Sequence, residues 1–188
     1  MQHSTAAAIG TTKRSRRQII TTKVTLSAFF IALGFVLSLI SFPIGPTRIF
    51  PFQHMINAIV AIMLGPFYAA AVALGIGTLR VAAGTGTLFA YPGGMPGGIV
   101  VGSIYWYLWH HDESALTEPL GTAVGGILSA LAIAPFIGAR PLPSILGLTA
   151  QWELFVIAFW FASIPGSIMG YMVVKALRKI GIFERLAF

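Results

Sequence analysis

Apolar side chains fall in long runs along this chain, and each run stops at a proline, a glycine or a short polar cluster. The first extends from Val24 to Phe42, holds only Thr25 and three serines as polar interruptions, and ends at Pro43. PIGPTRIFP follows as a turn-rich loop with three prolines. A second run starts near Phe52 and reaches Leu64, where Gly65-Pro66 reverses the chain into a third that continues to about Ala83. Both are short for complete crossings, which leaves a tilted, shortened or re-entrant-flanked segment open. A fourth run goes from about Met95 or Gly97 to Trp109, a fifth from Pro119 to Ile137, and a sixth from about Leu146 to Leu177.

The acyl core of a bilayer is about 30 Å thick and a helix rises about 1.5 Å per residue, so a crossing takes roughly 20 apolar residues. Six such runs predict an all-α integral membrane protein, a bundle of six transmembrane helices. Residues 1–23 then form a basic N-terminal tail, 24–180 the membrane domain and 181–188 a C-terminal tail. The stretch 84–98, GTGTLFAYPGGMPGG, has six glycines and two prolines and is expected not to be an ordinary helix throughout. Irregular backbone at membrane depth is tolerated only against protein or a water-filled cavity.

Composition agrees with lipid as the main solvent, because the 188 residues are 56% hydrophobic and 9% charged. The absence of cysteine removes disulfides and thiol chemistry. The first apolar run is too long for a signal-peptide core and no convincing small-residue cleavage site follows it, so it is read as a retained helix. Charge then orients the bundle. With both termini in the cytoplasm, Lys13, Arg14, Arg16, Arg17, Lys23, Lys175, Arg178, Lys179 and Arg185 lie inside, and only Arg48, Arg80 and Arg140 lie outside. That asymmetry accounts for the +7 net charge without a nucleic-acid partner. It also gathers the proline- and glycine-rich loops on the outer face, as expected if something is captured there.

Few residues could do chemistry. Gln53 and Asn57 are four apart and His54 stands three before Asn57, so all three share a helix face at the outer end of the second segment. Polar groups in hydrocarbon need partners, and two readings stand: hydrogen bonds between helices, or a ligand site open to the outside. Arg80, at the outer end of segment three, snorkels to headgroups, closes that site, or pairs with Glu153 as the acid expected at similar depth. Gln151-Trp152-Glu153 opens segment six; the acid should be paired, protonated or facing water, and Trp152 is either a wall for a flat heterocycle or an interfacial residue. In segment one, Ala28 and Ala32, and again Gly34 and Ser38, have the spacing that lets another helix approach closely, from within this chain or from a partner. His110, His111, Asp112 and Glu113 lie in a short loop where adjacent polar residues are usually just solvated, and no metal site is expected there. No intramembrane protease motif and no GxxxxGK[ST] motif is present, so no enzymatic activity is expected and any energy comes from an ion gradient or another subunit. The scarcity of intramembrane acids weighs against a proton-coupled pump.

FPIGPTRIFPFQHMINAIVAIMLGPFYAA, residues 42–70, followed by LRVAAGTGTLFAYPGGMPG, residues 79–97, resembles the ThiW family. Its members are predicted thiazole-specific substrate-binding (S) components of energy-coupling factor (ECF) vitamin transporters in prokaryotic cell membranes. The resemblance implies a six-helix bundle of the S-component type that binds its cargo near the outer face and needs no cofactor. Its partners would be a transmembrane coupling protein, met by Ala28 and Ala32, and two cytoplasmic ATPase subunits. The implied cargo is hydroxyethylthiazole, with Tyr91 as a lid or stacking residue. A neutral ring with a hydroxyl suits amides, imidazole and aromatics better than a ligand with a net charge. The alternative is a stand-alone secondary transporter or facilitator for a small neutral heterocycle.

Overall fold

A computed structural model describes residues 15–44, 47–138 and 151–186. Lys13, Arg14, Arg140 and the expected start of the last segment near Leu146 lie outside these residues. Helix α1, Arg16–Leu37, begins earlier than the apolar run because Ser15 caps it. The Ser15 hydroxyl accepts from the Gln18 backbone N–H at 3.3 Å, and the Gln18 side chain accepts from the Ser15 N–H at 2.8 Å. Arg16, Arg17 and Lys23 are therefore helical. The first proline-rich loop is a small antiparallel hairpin, β1 (Phe42–Ile44) with β2 (Thr47–Ile49), in which Pro43 stands opposite Arg48.

Helix α2, Pro51–Leu64, starts with proline at its first position, where a missing N–H costs nothing. Gly65, at φ 106°, makes the reversal, and α3 runs over Pro66–Ala82. A turn through residues 83–89 leads to α4, Ala90–Ile104, which continues as a π-helical turn, Tyr105–Trp109, and stops at His110 in the left-handed conformation, φ 54°. A 3₁₀ segment, Asp112–Thr117, runs into α5, Glu118–Leu128, a π turn, Ser129–Ile133, and the short α6, Ala134–Phe136. Helix α7, Gln151–Lys179, and the short α8, Ile182–Leu186, complete the described chain.

This is an all-α membrane protein. Among the described residues three helical stretches are long and apolar enough to cross a bilayer: Arg16–Leu37, Asp112–Phe136 and Trp152–Lys179, with mean hydropathies of 1.9, 1.6 and 1.6. Helices α2 and α3 are apolar but shorter. The 14 residues of α2 span about 21 Å, less than the acyl core. α2 is the centre of the bundle and packs against α7, α4, α3 and α1. From Ile56 to Leu64 all of its side chains are buried, as expected of a helix enclosed on every side.

Two expectations change here. First, the fourth helix starts at Ala90 and not near Met95 or Gly97; the stretch 84–98 is not helical throughout, but it is irregular only as far as Phe89. Pro92 falls in the first turn, and Pro96 leaves the Pro92 carbonyl without its usual helical donor. The glycines form a packing surface. A Cβ on Gly102 would stand 2.6 Å from the Pro66 backbone and one on Gly98 2.9 Å from the Ala69 side chain; on the facing helix, Cβ atoms on Gly121 and Gly125 would run into the Pro96 and Pro92 carbonyl oxygens. Lipid offers apolar helices no hydrophobic drive to associate, so such close backbone approach supplies the cohesion. Second, the helical run containing α5 begins at Asp112, not Pro119, which moves Glu118 from a loop edge into the bundle.

The loop acids are also not merely solvated. Asp112 accepts from Arg178 Nε at 2.9 Å and from Nη2 at 2.6 Å, and Arg178 donates further to the Tyr105 hydroxyl at 3.0 Å. Glu113 takes the Tyr171 hydroxyl at 3.0 Å and faces Lys175 at 3.5 Å. At the same end Lys23 donates to the Leu64 carbonyl at 3.1 Å, where a cation suits a helix C-terminus, and lies over the Trp106 ring.

Candidate functional site

A cavity of about 610 Å³ opens among the hairpin, the 83–89 turn, the start of α4 and the first half of α7. Its walls are aromatic and aliphatic, with Phe50, Phe89, Phe155 and Phe159 among them, and Thr85 and Thr87 contribute from the turn. One end is polar, formed by Gln53, His54 and Arg80.

The first turn of α2 sets the depth of that end. A Cβ on Gly166 would collide with the Pro51 carbonyl and lie 2.6 Å from the His54 Cβ, so α2 begins beside Gly166. Gly166 is fifteen residues into α7, so the first turn of α2, with His54, lies about 22 Å along α7 from its start.

Behind the cavity wall lies a buried polar network. His54 Nδ1 is 2.7 Å from Glu118 Oε1, and Glu118 is 0% exposed. Asn57 Nδ2 donates to the Gly94 carbonyl at 3.0 Å and approaches Glu118 Oε1 at 3.4 Å. The carboxylate fits because Gly97 has no side chain: a Cβ there would occupy the place of Glu118 Oε1. Gly94 likewise leaves room for Gln53, since its Cβ would stand 2.7 Å from Gln53 Nε2. A carboxylate acceptor orients His54 as an Nδ1–H donor, so Nε2 is the ring nitrogen left for a ligand.

Arg80 projects from the last turn of α3, is 5% exposed, and donates through Nη1 to Gln53 Oε1. Its guanidinium lies 3.6 Å from the Phe50 ring centroid. The Arg80 carbonyl accepts from Thr85 and Gly86 at 2.9 and 3.0 Å, so one residue anchors both the cavity wall and the following turn.

The geometry thus brings Gln53, His54 and Arg80 to the cavity and puts Asn57 directly behind them. Other expectations are corrected. Arg80 neither snorkels nor pairs with Glu153; its partners are Gln53 and Phe50. Tyr91 is helical, packs its ring against Gly77, approaches Thr78 Oγ1 at 3.4 Å and does not line the cavity, because α4 starts ahead of it. Trp152 is 42% exposed and Glu153 leaves Oε2 buried without a partner; neither lines the cavity, whose α7 wall begins at Leu154. The Gln151 side chain lies outside the described residues. No cluster able to hold a metal exists among the described residues.

Glu118 is the residue that sequence reasoning missed. The signal was present: it stands three and four before Gly121 and Thr122, which with Gly125 and Gly126 make one small-residue stripe. That stripe is the buried face of α5, tied to α7 by the Thr122–Ser163 hydroxyl pair at 3.0 Å.

An all-helical bundle enclosing a ligand-sized, aromatic-walled chamber with a buried polar end is the architecture of a multi-pass membrane protein that handles a small molecule. The family model for thiamine-precursor transporter protein (ThiW) matches residues 24–180, and the chain belongs to that family. Comparison with curated proteins and with solved structures returns no match.

Proposed function

We propose that this protein is the substrate-binding component of an ECF-type transporter, capturing hydroxyethylthiazole or a related thiamine precursor at the outer face for ATP-driven uptake. The observation that carries the reading is the chamber: about 610 Å³, aromatic on its sides and polar at Gln53, His54 and Arg80, in a member of a thiamine-precursor transporter family. Its volume is within the range of roughly 300–1,000 Å³ usual for small-molecule sites. A thiazole ring stacks between the phenylalanines while its polar substituent reaches the Gln53 amide and His54 Nε2.

In this reading residues 24–180 form a bundle of six crossings, with 1–23 and 181–188 as cytoplasmic tails. The basic residues favour both termini inside, which faces the hairpin and the chamber outward. The cargo carries no energy of its own, so a transmembrane coupling protein and two ATPase subunits would power its release. Ala28 and Ala32 are exposed on α1, beside exposed Phe29, and would be the docking face; Gly34, by contrast, packs internally, with no room between its backbone and Ile76.

The test is direct. A ligand that binds only the folded state raises thermal stability by mass action. Hydroxyethylthiazole or a related thiazole should stabilise the purified protein, and thiamine, the pyrimidine precursor and riboflavin should not; no selective shift with any thiazole would remove the cargo assignment. A second reading, a stand-alone secondary transporter, is favoured by one observation, the buried titratable pair His54–Glu118. Uptake into proteoliposomes by this chain alone would select it.

A further inference from the structure

The chain has five acids, and among the described residues none of them forms an ion pair with Arg80. Asp112 holds Arg178 at the opposite end of the bundle, and Glu113 faces Lys175 and Tyr171 there. Glu184 lies in α8, beyond the end of α7. Glu118 is engaged by His54 and Asn57 behind the chamber wall. Glu153 stands in the first turn of α7, and no ion pair joins it to Arg80 among the described residues.

Arg80 is nevertheless buried. Its Nη1 donates to a neutral amide, its face stacks on Phe50, and its Nε is buried with no partner. The C-terminal dipole of α3 offsets only part of a full charge. Arg48 lines the same chamber, and no carboxylate does. A guanidinium has five N–H donors suited to planar oxyanions, and a buried cation without a counter-ion is costly.

We propose that the ligand of this chamber carries an anionic group, a carboxylate or a phosphomonoester, and that Arg80 is its counter-ion. The inference rests on the chamber being the transporter's binding site. It refines the cargo: a thiazole bearing a carboxylate or a phosphate ester fits better than the neutral alcohol. Gln53 then holds the guanidinium beside the chamber.

Calorimetric titration of the full-length protein in detergent, at fixed ionic strength, tests this with hydroxyethylthiazole, its phosphate ester, the matching thiazole carboxylate and inorganic phosphate. At least one anionic thiazole should bind about tenfold or more tighter than the alcohol, the scale of one charge-assisted hydrogen bond. Which of the two anions gains identifies the group. Arg80→Gln should erase the advantage and Arg80→Lys should restore part of it. Gln53→Glu provides a variant independent of any folding defect in Arg80→Gln: an internal carboxylate beside Arg80 should stabilise the empty protein and abolish the anion preference. Equal or tighter binding of the alcohol, or an anion preference that survives Gln53→Glu, overturns the inference. If no thiazole binds but inorganic phosphate does so in an Arg80-dependent way, the thiazole cargo fails and the anion site stands.

Discussion

His54 Nδ1 and Glu118 Oε1 lie 2.7 Å apart, although 64 residues separate them in the chain. The contact joins α2 to α5 through the most deeply buried acid of the bundle. Removing the acid leaves the His54 N–H as a buried donor without its acceptor in a low-dielectric interior, at a cost of about 1–3 kcal/mol. Glu118→Leu should therefore lower the thermal midpoint of the detergent-solubilised protein strongly. Glu118→Gln, which keeps an acceptor for His54, should remain folded while binding the chamber's ligand more weakly. Identical midpoints for Glu118→Leu and the wild type would show that the pair contributes nothing to stability.

Space for that carboxylate depends on Gly97. A methyl group there coincides with Glu118 Oε1, and one on Gly125 with the Pro92 carbonyl. Both Gly97→Ala and Gly125→Ala should destabilise the bundle by about 1–3 kcal/mol, the usual cost of overpacking. Their effects on ligands should differ. Gly97→Ala displaces the partner of His54 and should weaken binding beyond its stability cost, whereas Gly125→Ala should act through stability alone. Titration of the two variants side by side separates these outcomes.

Gln53 lines the chamber beside Arg80 and accepts from its Nη1. Gln53→Ala removes the acceptor of Arg80 Nη1 and widens the polar end, so ligand affinity should fall by about tenfold or more, the worth of one hydrogen bond to a charged group. Chromatographic behaviour in detergent should stay that of the wild type. Unchanged affinity in equilibrium binding would remove Gln53 from the site.

Ala28 and Ala32 meet no such constraint inside the chain, since both are exposed. If the proposed ECF role holds, tryptophan at either position should leave ligand binding and thermal stability close to wild type while blocking co-purification with a coupling protein and its ATPases. Recovery of an intact complex from the double variant would exclude this face as the docking surface.

Legibility varied from element to element. The polar face of α2 was readable because Gln53, His54 and Asn57 interrupt an otherwise apolar run at helical spacing. Met95 or Gly97 is too late a start for α4 because the penalty on glycine and proline in helices in water does not decide the matter in a membrane bundle, where the same glycines allow α4 to touch its neighbours. The resemblance implies Tyr91 as a lid or stacking residue; in the structure the wall from the turn comes from Thr85, Thr87 and Phe89. The pairing of Arg80 with Glu153, one of three readings of that residue, rests on depth along the chain, a coordinate that says nothing about direction around a helix.

The sequence by itself determined that the chain is helical and lives in lipid, which side of α2 is polar, and where its reversals fall. These follow from local causes: hydropathy, helical period and the φ preferences of glycine and proline. Only the tertiary structure decided that Glu118 faces His54, that Arg80 has no acid beside it, and that Trp152 and Glu153 stand apart from the chamber. Those outcomes depend on how deeply each helix begins and how it is rotated against its neighbours, and both are set by backbone contacts at Gly121, Gly125 and Gly166 between segments distant in sequence.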